Sequence, residues 1–263
     1  MPPDPGAPGP PRPARSVVER LLSVLGAFDH RNPALSLSGI ARRAGLPLTT
    51  THRLVTALTE WGALERDARG EYHIGLRLWE IAALAPRGVP LREAALPYLE
   101  DLYEATHENV QLAVCDGREV VYIERLSGHS AVGVRSQVGS RWPLHATGVG
   151  LVLLAHSDPE FQREVCEAPL AAFTPYTMTD PAVLRRALAE VRATGAAVSD
   201  RQITDDALSV AAPVRGPRGD VVAAVSVVVP VAGARPHALI PAVRIAGHGI
   251  SRALGRRPPS GPR

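Results

Sequence analysis

The chain has no lysine, and all 29 of its basic side chains are arginine. A carboxylate or phosphate held by a full positive charge is therefore held by a guanidinium. That absence removes the phosphate-loop signature G-x-x-x-x-G-K-[ST], the protein-kinase lysine and every Schiff-base mechanism, which excludes nucleoside triphosphatases and pyridoxal enzymes. Cysteine is scarce too. Cys115 and Cys166 stand 51 residues apart with no C-x-x-C, and the first residues lack the basic-then-apolar pattern of a signal peptide, so the reading is a reducing, cytoplasmic home. Long apolar runs are missing: the longest, 221–229 and 149–155, fall far short of the roughly 20 residues a membrane helix needs. No membrane partner is expected.

What is present is a chain of 263 residues, 45% hydrophobic, long enough to bury a real core and within reach of two domains. The net charge of +3 is an average over unlike segments. Between Arg12 and Arg53 seven Arg face only Glu19 and Asp29, whereas residues 90–125 hold eight acids against three Arg. Such asymmetry describes a front end suited to a polyanion and a rear that is not.

Seven prolines in the first 13 residues cannot build a core, so residues 1–14 are expected to be a disordered leader and 256–263 a disordered tail. From Ser16, apolar Val17, Val18, Leu21, Leu22, Leu25 and Phe28 recur at helical spacing up to Asn32-Pro33. Ser36 is suited to cap a second helix with Leu37, Ile40, Ala41 and Ala44 inward, ended by Gly45. Pro47 is placed at the first position of a third helix that turns Thr51, Leu54, Val55 and Leu58 inward. Only Gly45 and Leu46 separate these two helices. That is the tight turn of a helix-turn-helix, whose second member enters the DNA major groove. Residues 63–67 and 71–74 then read as a two-stranded wing, and 75–84 as a linker helix.

Beyond it helices and strands alternate. Helices are expected over 91–108, 147–156, 159–167, 181–194 and 237–254, and strands over 109–115, 119–124, 131–134, 197–201, 209–214 and 221–229. Asp158-Pro159 and Asp180-Pro181 mark two of the helix starts. These elements make an α+β domain with a mainly antiparallel sheet. The organisation expected is a winged helix-turn-helix over 15–75, a linker helix over 76–89 and a sensing domain over 90–255.

In its residues the chain resembles the IclR family of bacterial transcriptional regulators, named for the isocitrate lyase regulator. The strings that carry the resemblance are Leu35 to Pro47 with Thr50 to Leu54, Arg135-Ser-Gln-Val-Gly139, Pro143 to Gly150, Gly195 to Asp200 and Ala211-Ala-Pro-Val214, in that order. The resemblance implies a winged helix-turn-helix followed by a GAF-like α/β effector-binding domain. It implies a homodimer or dimer of dimers on a palindromic operator in double-stranded DNA, with a small-molecule effector. The output is either release of DNA, as in a repressor, or engagement of RNA polymerase.

For DNA the resemblance points to Thr49, Thr50, His52 and Arg53 on the third helix. Arg53 suits a guanine edge or a phosphate, and Arg42, Arg43, Arg66 and Arg69 suit phosphates, which position without specifying. Leu48 and Leu151 stand where relatives often have Lys, and Gly39 replaces a common Glu, removing half of a capping box. Phosphate neutralisation then rests on the five arginines.

Carried over position by position, the effector pocket is lined by Ala131, Val134, Trp142, Gly148, Val149, Ser199, Ala207, Ser209, Ser226 and Val228. Backbone N–H groups at Gly148 and Val149 open a helix N-terminus, which favours an anion, and three serines add hydroxyls, so a carboxylic acid fits best. Trp142, where a smaller aliphatic is common, should reshape the cavity. Asp200 is kept from a usual acidic run, but Arg201-Gln202 follows, and Thr204-Asp205-Asp206 replaces a segment that usually contains Gly.

No cofactor, metal site or catalytic residue is expected. There is no G-x-S-x-G elbow, no H-E-x-x-H and no zinc spacing. The competing readings are a ligand-binding GAF-like module or a hydrolase, each with vestigial DNA binding.

Overall fold

The computed structural model describes residues 15–128, 132–134 and 136–255. The leader and tail expectations, and the pocket position Ala131, lie outside the described residues. The chain divides into two units between Leu84 and Ala85.

In the first unit α1 (Val17–Leu25) starts at a full capping box, with Ser16 and Glu19 satisfying each other's backbone N–H. After it come β1 (Ala34–Leu35), α2 (Leu37–Ala44) and α3 (Leu48–Trp61), then β2 (Leu64–Arg66), β3 (Tyr72–Ile74) and α4 (Leu76–Ala82). Ser36 caps α2 by accepting the Gly39 N–H at 3.2 Å, so half of that capping box survives the missing Glu. Gly45 closes α2 at φ 65°, in the left-handed region where Gly carries no Cβ penalty. Pro47 is the N-cap of α3 rather than its first residue. Val24, Ile40, Leu54, Val55, Leu58 and Leu64 close the core among the three helices and the wing. The wing has a third strand that periodicity does not reveal, because β1 is two residues long and exists through its pairing with β3.

In the second unit α5 (Val89–Thr106) leads to β4 (Asn109–Asp116) and β5 (Glu119–Leu126), then β6 (Arg141–Pro143) and a 3₁₀ turn (Leu144–Ala146). Next are α6 (Gly148–Ala155), α7 (Pro159–Glu167), α8 (Pro181–Thr194), β7 (Ala197–Asp200), β8 (Ala207–Arg215), β9 (Val221–Pro230) and α9 (Pro236–Gly255). The strands form one antiparallel sheet in the order β6-β5-β4-β9-β8-β7. Alternation along β9 sends Val225, Val227 and Val229 into the layer shared with α5 and α9, and Ala224 to the other face, beside Ala113 and Ala211 under α6.

Two expectations need correction. Described residues 132–134 form no strand; the edge strand is β6, paired to β5 at Val121, Val120 and Glu119. Pro143 obscures it in the sequence, yet an edge position tolerates proline. Arg141 anchors the edge by donating to Asp116 at 2.6 Å and Glu119 at 2.7 Å. The linker helix is also shorter than 76–89: α4 ends at Ala82, and by Val89 the chain has entered α5.

Candidate functional site

The buried side of α3 holds Thr51, Leu54, Val55 and Leu58. That fixes its opposite side, on which Thr49, His52, Arg53 and Thr56 recur at three- and four-residue spacing and are exposed, with Thr50 half-buried at the margin. Thr56, not singled out by its sequence pattern, belongs to this face. Arg42 is exposed at the end of α2. Arg43 is not free: its guanidinium pairs with Asp29, and its Nε–H donates to the Ala27 carbonyl at 2.5 Å. It ties α2 to the segment after α1. Asn32, then Arg31 and Arg43, hold the Asp29 carboxyl below the usual carboxylate range.

On the wing, Arg66 donates from Nε to the Gly70 carbonyl at 3.3 Å and lies over the Tyr72 ring at 5.5 Å. Arg69 extends exposed from the turn, whose shape is set by Asp67 accepting the N–H groups of Arg69 and Glu71. Those bonds, the Glu71 one foremost, with the His73 ring, hold the Asp67 carboxyl low. Leu48 is exposed, but Leu151 is only 1% exposed in the core of the second unit. The Lys-to-Leu difference at 151 therefore has no bearing on phosphate contact.

The second unit holds a cavity of about 60 Å³ that is partly open to solvent. Val134, Trp142, Gly148, Ser199, Ala207, Ser209 and Val228 all reach its wall. Val149 and Ser226 do not. The Val149 side chain packs into the core under α6, and Ser226 is fully buried between Gln111 and Ala211 on the sheet, its hydroxyl without a partner among the described residues.

Sequence reasoning misses Gln111, Tyr122, Ser136, Thr147 and the rim residues Gln202 to Thr204. A polar Gln111 between the apolar Val110 and Leu112 of β4 is the available signal. Its Nε2 donates to the Ser136 hydroxyl at 2.6 Å, both residues buried. The Tyr122 phenol is pushed well above its ordinary range by burial.

One end of the cavity is the start of α6. Thr147 caps it by accepting the Gly150 N–H at 3.1 Å, while the N–H groups of Gly148 and Val149 have no protein acceptor among the described residues. The helix dipole adds partial positive charge there. The aromatic side is Trp142, set edge-on to Phe173 with ring centroids 5.5 Å apart. Phe173 belongs to the segment between α7 and α8, which is strapped to the cavity rim: Thr174 donates to the Arg201 carbonyl and Thr177 to the Gln202 carbonyl, each at 2.6 Å. Arg201, the non-glycine rim residue at φ 53°, pairs with Asp200 and stacks on Tyr176 at 3.9 Å. Both of its contacts are to the protein. His145 donates a ring N–H to the Ala171 carbonyl at 3.0 Å, and burial holds its pKa below the ordinary value. It is a structural residue here.

Residues 17–68 match the family described as "IclR helix-turn-helix domain", and residues 84–252 match "Bacterial transcriptional regulator IclR C-terminal". The chain belongs to the IclR family. It is thus a transcriptional regulator with a DNA-binding helix-turn-helix, and not an enzyme. Among IclR relatives, it is 32% identical to the HTH-type transcriptional regulator BhcR of Paracoccus denitrificans over 251 residues, covering 94% of this chain and 90% of that protein. It is 31% identical to the HTH-type transcriptional repressor AllR of Klebsiella pneumoniae, covering 92% and 90%. The crystal structure of an IclR homolog complexed with 4-hydroxybenzoate, from Microbacterium hydrocarbonoxydans, superposes with a TM-score of 0.86 at 39% identity, covering 91% of this chain and 99% of that one. No helix among the described residues is long and apolar enough to cross a membrane.

Proposed function

We propose that this IclR regulator is a repressor released from its operator by a small aromatic carboxylic acid. The observation that carries the effector class is the pairing, in one cavity, of the Gly148 N–H at the start of α6, which has no acceptor among the described residues, with a wall built from Tyr122, Trp142 and Val228. A carboxylate fits the first and a ring the second. The 4-hydroxybenzoate complex of the 39%-identical relative supports the same class, and the repressor name of AllR supports the direction of the response.

On the DNA side, Thr49, Thr50, His52 and Arg53 read base edges from α3, while Arg42, Arg66 and Arg69 meet phosphates. The operator is palindromic because two copies bind it. Dimerisation runs partly through α4, which buries no residue within its own unit and leaves Leu76 63%, Trp79 60% and Ile81 47% exposed. An effector shifts DNA affinity only by binding the DNA-free arrangement more tightly than the bound one.

A gel shift on the DNA upstream of its own gene, titrated with benzoate, 4-hydroxybenzoate and aliphatic acids of similar charge, tests this. Release by the aromatic acids and not by the aliphatic ones is the expected result. Release by aliphatic acids alone would remove the aromatic class, and tighter binding with ligand would remove the repressor reading.

A further inference from the structure

The cavity has a second polar end, away from the start of α6. Gln111 and Ser136 line it and are only 2% and 7% exposed. Because Gln111 Nε2 donates to the Ser136 hydroxyl, the Ser136 O–H is left to donate and the Gln111 Oε1 to accept, and neither has a partner among the described residues. Buried donors and acceptors are nearly always satisfied, so an adjacent donor and acceptor open on a cavity wall mark a place for a ligand group.

Holding Ser136 on the sheet does not require this pair. Arg125, opposite Gln111 on β5, donates to the Ser136 carbonyl at 2.9 Å and to Asn109 Oδ1 at 3.1 Å, and Asn109 donates to the Val132 carbonyl at 2.8 Å. Those bonds fix the backbone and leave the amide and the hydroxyl as a preset couple. Ser209, beside Gly148, faces Val228 on β9, which faces Asn109 on β4, two residues from Gln111. With strands roughly 4.8 Å apart and about 3.4 Å per residue, Ser209 and Gln111 stand about 12 Å apart at the backbone. One aromatic ring substituted at opposite ends, with a hydrogen bond beyond each substituent, bridges that separation.

We propose that Gln111 and Ser136 select, among aromatic acids, those with a hydroxyl on the ring carbon opposite the carboxylate, an inference that rests on the aromatic-acid reading of the effector. The ligand O–H donates to Gln111 Oε1, and its oxygen accepts from the Ser136 O–H. A hydroxyl suits both positions because it donates and accepts at once; a methyl group answers neither, and a second carboxylate brings no proton to the Gln111 oxygen. A site built to bond a hydroxyl rejects the analogue lacking it far more strongly than an apolar pocket rejects a change of one methyl.

Calorimetric titration of the full chain with benzoate, 4-methylbenzoate, 2-hydroxybenzoate and 4-hydroxybenzoate tests it. 4-Hydroxybenzoate should bind at least about tenfold more tightly than the other three. Gln111→Leu should bring that ratio near one while the affinity for 4-methylbenzoate holds or rises; a pair that served packing alone would weaken all four acids alike. Ser136→Ala, which removes one atom and keeps the carbonyl that Arg125 holds, should narrow the ratio in the same direction and carries the test if the Gln111 variant fails to fold. Binding of the aromatic acids with no preference for the 4-hydroxyl, or a preference that survives substitution, overturns this proposal and leaves the effector class standing. No binding of any of the four removes the effector class and this proposal with it.

Discussion

Gly148 stands so close to Ser209 that a Cβ built on it would lie 2.7 Å from the Ser209 hydroxyl oxygen. The start of α6 and the middle of β8 thus meet at one corner of the cavity, with no atom to spare. Gly148→Ala should push the Ser209 side chain into the space proposed for the carboxylate. We expect effector affinity to fall about tenfold or more, or about 1.4 kcal/mol, with operator binding unchanged in the absence of ligand. Calorimetric titration with 4-hydroxybenzoate measures the first and a gel shift the second; full effector affinity in the variant would place the carboxylate elsewhere.

Arg42 and Arg43 are neighbours with different work. Arg43 is held by Asp29 and the Ala27 carbonyl, so Arg43→Ala should lower the melting temperature of the first unit, modestly because the pair is partly exposed, with little change in the salt dependence of DNA binding. Arg42→Ala should leave melting alone and reduce the slope of log affinity against log salt by about 1. Salt titrations of operator binding by both variants separate the roles, and equal slopes would reject the distinction.

Arg53→Ala should remove operator preference, costing about 1–3 kcal/mol of discrimination, while effector binding persists. Competition between operator and unrelated DNA reads this directly. Retained preference would move base reading to Thr49, His52 or Thr56.

These contrasts mark where sequence stops being informative. The bounds of α7 and α8 are legible because Asp158 and Asp180 cap them with proline following, a signal local to four residues. The helix-turn-helix is legible for the same reason, through Ser36 and Gly45. The tie from Arg43 to Asp29 spans 14 positions, and nothing local distinguishes it from the exposed Arg42. Gln111 and Tyr122 reach the cavity because the β4–β5 and β4–β9 registers bring their faces together, which needs the pairing itself. Val149 illustrates the converse: its N–H belongs to the start of α6, but its side chain follows the helix into the core.

Trp142 gives the cavity its aromatic wall and leans edge-on against Phe173. Trp142→Leu should open the site, admitting bulkier acids while weakening single-ring ones by about 1–3 kcal/mol, the range a shape change in an apolar pocket commands. Titrating the variant with acids of increasing size checks this. An unaltered order of affinities would show that ligand does not touch this wall.

His145 makes the stability of the second unit depend on pH. Burial holds its imidazole below the ordinary value of 6.5, the bond to the Ala171 carbonyl only partly opposing that. As pH falls through 6.5 the unfolded chain takes up a proton at this position before the folded one does, so the unfolded state is favoured; the stabilisation is complete above that value and is lost as pH drops toward the depressed native one. His145→Gln keeps a donor near Ala171 and cannot titrate. Other groups contribute to the acid limb in both proteins, Glu108 with the opposite sign because burial raises its pKa, so the informative quantity is the difference between the two melting curves. That difference should move in favour of the variant as pH is lowered from about 7 to 5. A difference independent of pH across that window would mean that His145 titrates alike in the folded and unfolded chain.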